Sequence, residues 1–309
     1  MKSSPTNALQ VECVDPPLQL RRQFLCDRFV VKSLQLSSHP LWSRLNILSQ
    51  LCDRPNSKSL LLDSFLKFTK LPHPILRFNL NPLFSTPFRA LVYNPPIVTD
   101  LGLIKGAPDT NVKFQRIFHQ NWSNHLQIFT DSSKISPDSC VGSACWIPKF
   151  KIILQFKSPP ETSIFSGEAI AILEAILFAH SHDLRQTVIL TDSLSCLLAI
   201  RENPFRSRRR FFIILKIREA LLACHQKGLE ILLVWIPSHS GITGNDTADS
   251  FARSAISSGL TKHFNNSTQD LCALAKTHLD KSWNSLWKAS SKSKGYGSPI
   301  CLVLLCLQN

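Results

Sequence analysis

Two apolar runs in this chain end on the same three residues. Leu126-Gln127-Ile128-Phe129-Thr130-Asp131-Ser132 and Thr187-Val188-Ile189-Leu190-Thr191-Asp192-Ser193 both stop at Thr-Asp-Ser. Short apolar runs bounded by turn or cap residues read as strands. If the two strands lie side by side and parallel, Asp131 and Asp192 end in one crevice. Open α/β sheets bind their ligands there, outside the carboxyl ends of parallel strands. Adjacent carboxylates repel unless a proton or a cation lies between them. Hard oxygen ligands favour magnesium or manganese. Either Asp alone would serve equally well as a cap for the helix or turn that follows. The repeated phrase and two further acids favour a shared site.

The stretch around these runs has an α/β order. After Asp131 and a turn at Ser136-Pro137-Asp138-Ser139 come Val141 to Ile147 and Phe150 to Lys157, so the region opens as a three-stranded meander. Ser166 is expected to cap a helix running to about His182. On it Glu168 shares an inward stripe with Ile172, Ala175, Ile176 and Ala179. A first-turn Glu ordinarily just complements the helix dipole, but an acid on a buried stripe needs a partner. The second Thr-Asp-Ser strand follows, then helices from Ser193 to about Arg201 and over about 209–227, and a buried strand from Leu229 to Ile236. A loop holding His239 leads into a helix with Asp249, Ala252 and Ile256 on one face. This order describes a mixed five-stranded α/β sheet flanked by helices.

The flanks differ. Residues 1–58 are expected to be helical, with segments after Pro16-Pro17 and from His39 to Leu51. Residues 59–125 are rich in proline and read as a connector with poor regular structure. Residues 259–309 read as a link, a helix over about 268–289 and a flexible tail. Net charge is +14, with +8 on residues 1–125, +2 on 126–258 and +4 on 259–309. A basic chain favours polyanionic partners, nucleic acid above all. Its acids are concentrated in the central region. Arg206, Arg208, Arg209 and Arg210 form the densest basic cluster, read either as a solvated helix start or as a phosphate contact. Ten cysteines show no Cys-x-x-Cys pair and no zinc spacing. Residues 1–10 lack the apolar core of a secretory signal, so an intracellular location, cytoplasmic or nuclear, is expected. The apolar run Ile300 to Leu307 is far shorter than the ~20 residues of a spanning helix, so no membrane partner is expected.

Residues 126–258 resemble type 1 ribonuclease H, most closely the copy at the C-terminal end of non-LTR retrotransposon polyproteins. The matching pieces are Phe129-Thr130-Asp131-Ser132-Ser133, Gly167-Glu168 with Glu174, Leu190-Thr191-Asp192-Ser193, Trp235-Ile236-Pro237-Ser238-His239-Ser240-Gly241 and Gly244-Asn245-Asp246-Thr247-Ala248-Asp249. The resemblance implies the ribonuclease H-like fold, with sheet order 3-2-1-4-5 and strand 2 antiparallel. It implies Asp131, Glu168, Asp192 and Asp249 as metal-binding carboxylates for two Mg²⁺ or Mn²⁺ ions, with Asp131 shared between both. His239 is then the mobile loop histidine that assists proton transfer or product release. Asn245, with Ser132 and Ser193, is expected to help position the substrate. Ser132 stands where relatives often carry Gly. Residues 16–36 also resemble the segment downstream of the polymerase in such polyproteins. No Asp-Asp dipeptide occurs, so the polymerase signature is missing and a reverse transcriptase is an expected partner outside this chain.

The leading expectation is therefore a metal-dependent endonuclease that cuts the RNA strand of RNA–DNA hybrids. One alternative is an inactive nucleic-acid-binding remnant, against which the four intact carboxylates count. Another is a different nuclease or transposase of the same fold, since fold alone does not fix chemistry. The histidine loop before Asp249 favours the ribonuclease.

Overall fold

The structure is a computed structural model, and it describes residues 15–51, 59–205 and 211–293. The chain divides into two compact units, one of residues 1–33, 40–71 and 272–309 and one of 34–39 and 72–271. The second holds a six-stranded sheet. In chain order its strands are β1 (Ile97–Val98), β2 (Leu126–Ser133), β3 (Val141–Ile147), β4 (Ile152–Ser158), β5 (Gln186–Thr191) and β6 (Glu230–Trp235). They lie in the order β1-β6-β5-β2-β3-β4. β3 runs antiparallel to β2 and β4, and the remaining pairs are parallel. Five of the six reproduce the expected order, with the second of them antiparallel. The sheet is not five-stranded, however, because β1 adds a parallel edge next to β6.

That edge comes from the segment expected to be an irregular connector. Among its elements are α3 (Leu60–Thr69), α4 (Pro82–Ser85), α5 (Phe88–Val92) and α6 (Thr110–Trp122), preceded in the chain by α1 (Leu18–Leu34) and α2 (Leu41–Leu51). Its prolines do not prevent helix formation. Pro82 occupies the first turn of α4 and Pro87 the N-cap of α5, where a missing N–H costs nothing. In α6, Phe114 and Phe118 lie one turn apart and are both buried.

Strand residues alternate between two buried faces, the pattern of a sheet covered on both sides. Ile128, Ile189 and Leu233 join one core with Ile172 and Ile176 of α7 (Ile164–Ser181), Leu197 of α8 (Leu194–Arg201) and Ile217 of α9 (Phe212–Gln226). Phe129, Leu190 and Val234 join the other with Phe114 and Phe118 of α6 and Ala248 of α10 (Thr243–Ser258). By length and composition α7 could cross a membrane, but most of its residues are buried inside the protein. The cap of α7 is Ser163, whose hydroxyl accepts from the Ser166 N–H at 3.2 Å, and not Ser166 as the sequence suggests.

The first unit is helical, as expected for residues 16–51. Buried Asp27 of α1 accepts hydrogen bonds from Gln23 at 2.8 Å and from Ser64 at 2.6 Å, and an ion pair from Lys67 at 3.0 Å. The last helix, α11, spans Thr268–Ser293. The flexible tail expected after it lies mostly outside the described residues.

Gly142 shows how closely α10 approaches the sheet. A Cβ there would sit 2.0 Å from the Ala252 carbonyl oxygen and 2.8 Å from the Ile256 nitrogen, both backbone atoms that cannot step aside. Gly142→Ala is expected to destabilise the protein by about 1–3 kcal/mol through overpacking. Chemical denaturation of the full chain checks this, and unchanged stability would contradict the packing of α10 on β3.

Candidate active site

The β2–β5 pairing brings Thr130 opposite Thr191 at its carboxyl end, so Asp131 and Asp192 follow side by side. The buried stripe of α7 delivers Glu168 to the same place. Asp131, Glu168 and Asp192 each offer an oxygen, and these atoms lie within 4.8 Å of one another. Close approach of α7 is possible because position 167 is Gly. A Cβ there would lie 2.6 Å from a Val141 methyl and 3.0 Å from Ser132.

Ser132 holds two of the acids in place. Its backbone N–H lies 2.7 Å from Asp131 Oδ1 and 3.0 Å from Glu168 Oε1. Its hydroxyl is 3.0 Å from Glu168 Oε1 and 3.2 Å from the Ile164 carbonyl, and its single hydrogen can serve one of them. It lies in regular β2, paired with Ser143, so the serine in place of the frequent glycine causes no strained turn. At 8 % exposure it supports carboxylates more than it meets a substrate. Ser193 lies at the half-buried N-cap of α8, with its N–H donating to Thr191 Oγ1 at 3.2 Å.

The electrostatics are those of crowded anions. Burial, reinforced by the charges of Asp192 and Asp249, pushes the Asp131 carboxyl up to about 7, against the opposing Ser132 N–H. Burial, then the charges of Asp131 and Asp192, raise Glu168 well above the ordinary range. Burial also raises Asp192, opposed by a hydrogen bond from Asn245 and by the charge of His239. Glu168 Oε2 is buried without a hydrogen-bond partner, as is Asn245 Oδ1. Converging carboxylates with an unsatisfied buried oxygen fit a hard divalent cation, which would relieve both the repulsion and the missing partner.

The fourth expected ligand differs. Asp249, on α10, acts on Asp131 and Asp192 through its charge but is not in the 4.8 Å group. Arg253, one turn on, grips it with two hydrogen bonds of 2.7 and 3.2 Å. His239 is exposed on the rim, with a left-handed backbone at φ 49°. Asn245 is buried against Asp192 and so acts on a carboxylate directly. Arg206, Arg208, Arg209 and Arg210 lie outside the described residues.

Sequence reading missed several supports. Trp235 Nε1 donates to the Asp192 carbonyl at 3.1 Å. Asp270, buried in the first turn of α11, accepts from the Ser163 N–H at 3.1 Å and from the Ser166 hydroxyl at 2.8 Å, pinning the end of α7 that carries Glu168. The Gly106 N–H donates to Ser240 Oγ at 3.2 Å, beside His239. Trp235 stood within a recognised phrase. Asp270 and Gly106 had no local signal, since their partners are distant in sequence.

A carboxyl held near 7 when folded, against about 4 when unfolded, favours the folded state only while protonated. Without metal, stability is therefore expected to fall as pH rises from about 4 through about 7. Asp131→Asn should flatten that fall. At pH 8 in chelator it should melt higher than the parent by roughly 2–4 °C, for a gain on the order of 1 kcal/mol. Added Mg²⁺ should raise the parent's melting temperature more than the variant's. A variant that melts lower in chelator, or responds equally to Mg²⁺, would contradict the site.

No curated protein matches the chain. A family does match, and over the stretch that holds Asp131, Glu168, Asp192, His239 and Asp249: residues 123–257 fit the RNase H family and form a ribonuclease H domain.

Proposed function

We propose that the protein is a metal-dependent endonuclease that hydrolyses the RNA strand of RNA–DNA hybrids, as part of a retrotransposon-derived protein. Family membership of the domain supports a nucleic-acid substrate and a nuclease activity. The single observation that carries the reading furthest is the meeting of Asp131, Glu168 and Asp192 within 4.8 Å around a buried, unpartnered Glu168 oxygen. The hybrid as substrate and the retrotransposon setting rest on the sequence phrases that resemble such elements.

In this reading Asp131, Glu168 and Asp192 hold Mg²⁺ or Mn²⁺, and two ions are proposed by analogy with the family. When bound, such ions supply positive charge at the scissile phosphate and activate water. Ser132 keeps Asp131 and Glu168 turned toward each other. Asn245 and the Trp235 indole fix the side chain and backbone of Asp192. His239, on the exposed rim within electrostatic reach of Asp192, takes or gives a proton as the strand is cut or released. Selection of RNA requires reading the 2′-hydroxyl across a wide, shallow minor groove. The arginines at 206 and 208–210 are proposed to contact phosphates.

One observation favours the second reading, a binding remnant without activity. Asp249 is tied to Arg253 by two hydrogen bonds and stands outside the 4.8 Å group of the other three acids. Cleavage of a labelled hybrid by the full chain separates the two. The parent should cut the RNA strand with Mg²⁺ or Mn²⁺, stop with chelator, and leave single-stranded RNA and duplex DNA intact. Asp192→Asn keeps shape but removes a charge and should abolish cutting in a folded protein. His239→Ala should slow turnover on the order of 10²-fold, the low end of general acid–base contributions, while leaving residual activity. A folded parent that binds hybrid but cuts with neither metal would establish the remnant instead.

A further inference from the structure

The second unit carries an aromatic surface that neither core packing nor cleavage employs. Phe88, on α5, is 67 % exposed, and Phe205, in the turn after α8, is 44 % exposed. Their rings meet at a tilt of 44°, with centroids 6.0 Å apart. Single exposed apolar residues are ordinary, but two rings brought together on the surface from distant parts of the chain suggest a binding role. A third phenylalanine of the same segment, Phe84 on α4, is also largely exposed.

The support beneath the pair is hydrogen-bonded. Buried Arg218 of α9 donates to the Ala90 carbonyl at 3.1 Å and to the Leu91 carbonyl at 2.9 Å, and it also reaches the carbonyls of Tyr93 and Ile200. One guanidinium thus joins the helix of Phe88 to the end of α8. The other end of α8 starts beside Asp192. Asp192 thus precedes one end of this helix in the chain, and Phe205 follows the other.

Charge selects the occupant. Exposed Arg89 neighbours Phe88. No acidic residue occurs between Asp63 and Asp100, or between Glu202 and Glu219. The sequence that continues from Phe205 reads Arg-Ser-Arg-Arg-Arg. An exposed ring pair beside Arg89 suits unpaired bases, which stack on the rings while a phosphate meets the guanidinium group. A blunt duplex hides its base faces within the stack and cannot use such a surface along its length.

We propose that Phe88 and Phe205, with Arg89, form a stacking platform for single-stranded nucleic acid adjoining the hybrid. The adjoining hybrid rests on the nuclease reading, whereas single-strand binding does not. The test measures fluorescence anisotropy of the full chain, in chelator, with short labelled single-stranded DNA, single-stranded RNA and a blunt hybrid. Phe88→Ala and Phe205→Ala should each weaken single-strand binding about tenfold, in line with the loss of one base–aromatic stack. The loss should exceed that on the blunt hybrid, and Phe88→Tyr should restore binding. Both rings are exposed, so melting temperatures should be unchanged. Parental single-strand affinity in both alanine variants would overturn the proposal. So would parental self-association that the variants abolish, since it would assign the rings to contact between copies. Reduced single-strand binding with no hybrid cleavage by the parent would keep the platform and remove the nuclease reading, and cleavage with unchanged single-strand affinity would do the reverse.

Discussion

The parallel pairing of β2 with β5 holds two like charges together. Asp131 and Asp192 follow the last paired residues, Thr130 and Thr191, so their proximity is a consequence of strand register. That register is set by the core. Ile128 and Ile189 face one layer of helices, and Phe129 and Leu190 face the other. A slip of one residue would send every side chain to the opposite face and would move one Asp past the other. The large apolar surface of two cores thus fixes a juxtaposition that electrostatics alone would oppose. Burial, with the neighbouring charges added to it, raises the carboxyls of Asp131, Glu168 and Asp192.

The surrounding groups divide into those that orient the acids and those that limit their charge. Ser132, Asn245 and Trp235 orient. Arg253 limits, by taking Asp249 into a surface ion pair. Such an exposed i,i+4 pair is worth only about 0.3–0.5 kcal/mol. A cation with a stronger claim on Asp249 can therefore displace Arg253 at small cost. Asp249 stays close enough for its charge to act on Asp131 and Asp192 while Arg253 holds it.

What could be read from the sequence follows the range of the interactions. The Thr-Asp-Ser strands are patterns within a few residues and are strands in the structure, whereas the Glu168 helix buries Ser166 to Ile176 without a break and not only the stripe of Glu168, Ile172, Ala175, Ile176 and Ala179. The sheet order came from the family resemblance, because pairing between distant strands leaves no local mark. Frequent prolines in this stretch mask its helices α4 and α5, where Pro82 and Pro87 sit at positions that helices tolerate. The Ser163 cap was misplaced by one turn, since Ser163 and Ser166 are both good caps and only their hydrogen bonds distinguish them. Asp270 reaches the site region from more than a hundred residues away in sequence, beyond any local pattern.

The stretch misread as a connector also changes what the functional unit is. His239 holds a left-handed backbone, which costs a non-glycine residue roughly 1–2 kcal/mol. Ser240 beside it is buried, with its hydroxyl donating to the Ser238 carbonyl at 3.1 Å and accepting from the Gly106 N–H at 3.2 Å. Gly241, also at positive φ, completes the turn without strain. The loop is thus braced internally and from a segment that precedes residue 123, where the family match begins. The same segment supplies β1 beside β6, the strand that leads into that loop, and buries Phe114 under Phe129 of β2. Residues ahead of the matched domain therefore take part in placing both the histidine and the strand that carries Asp131.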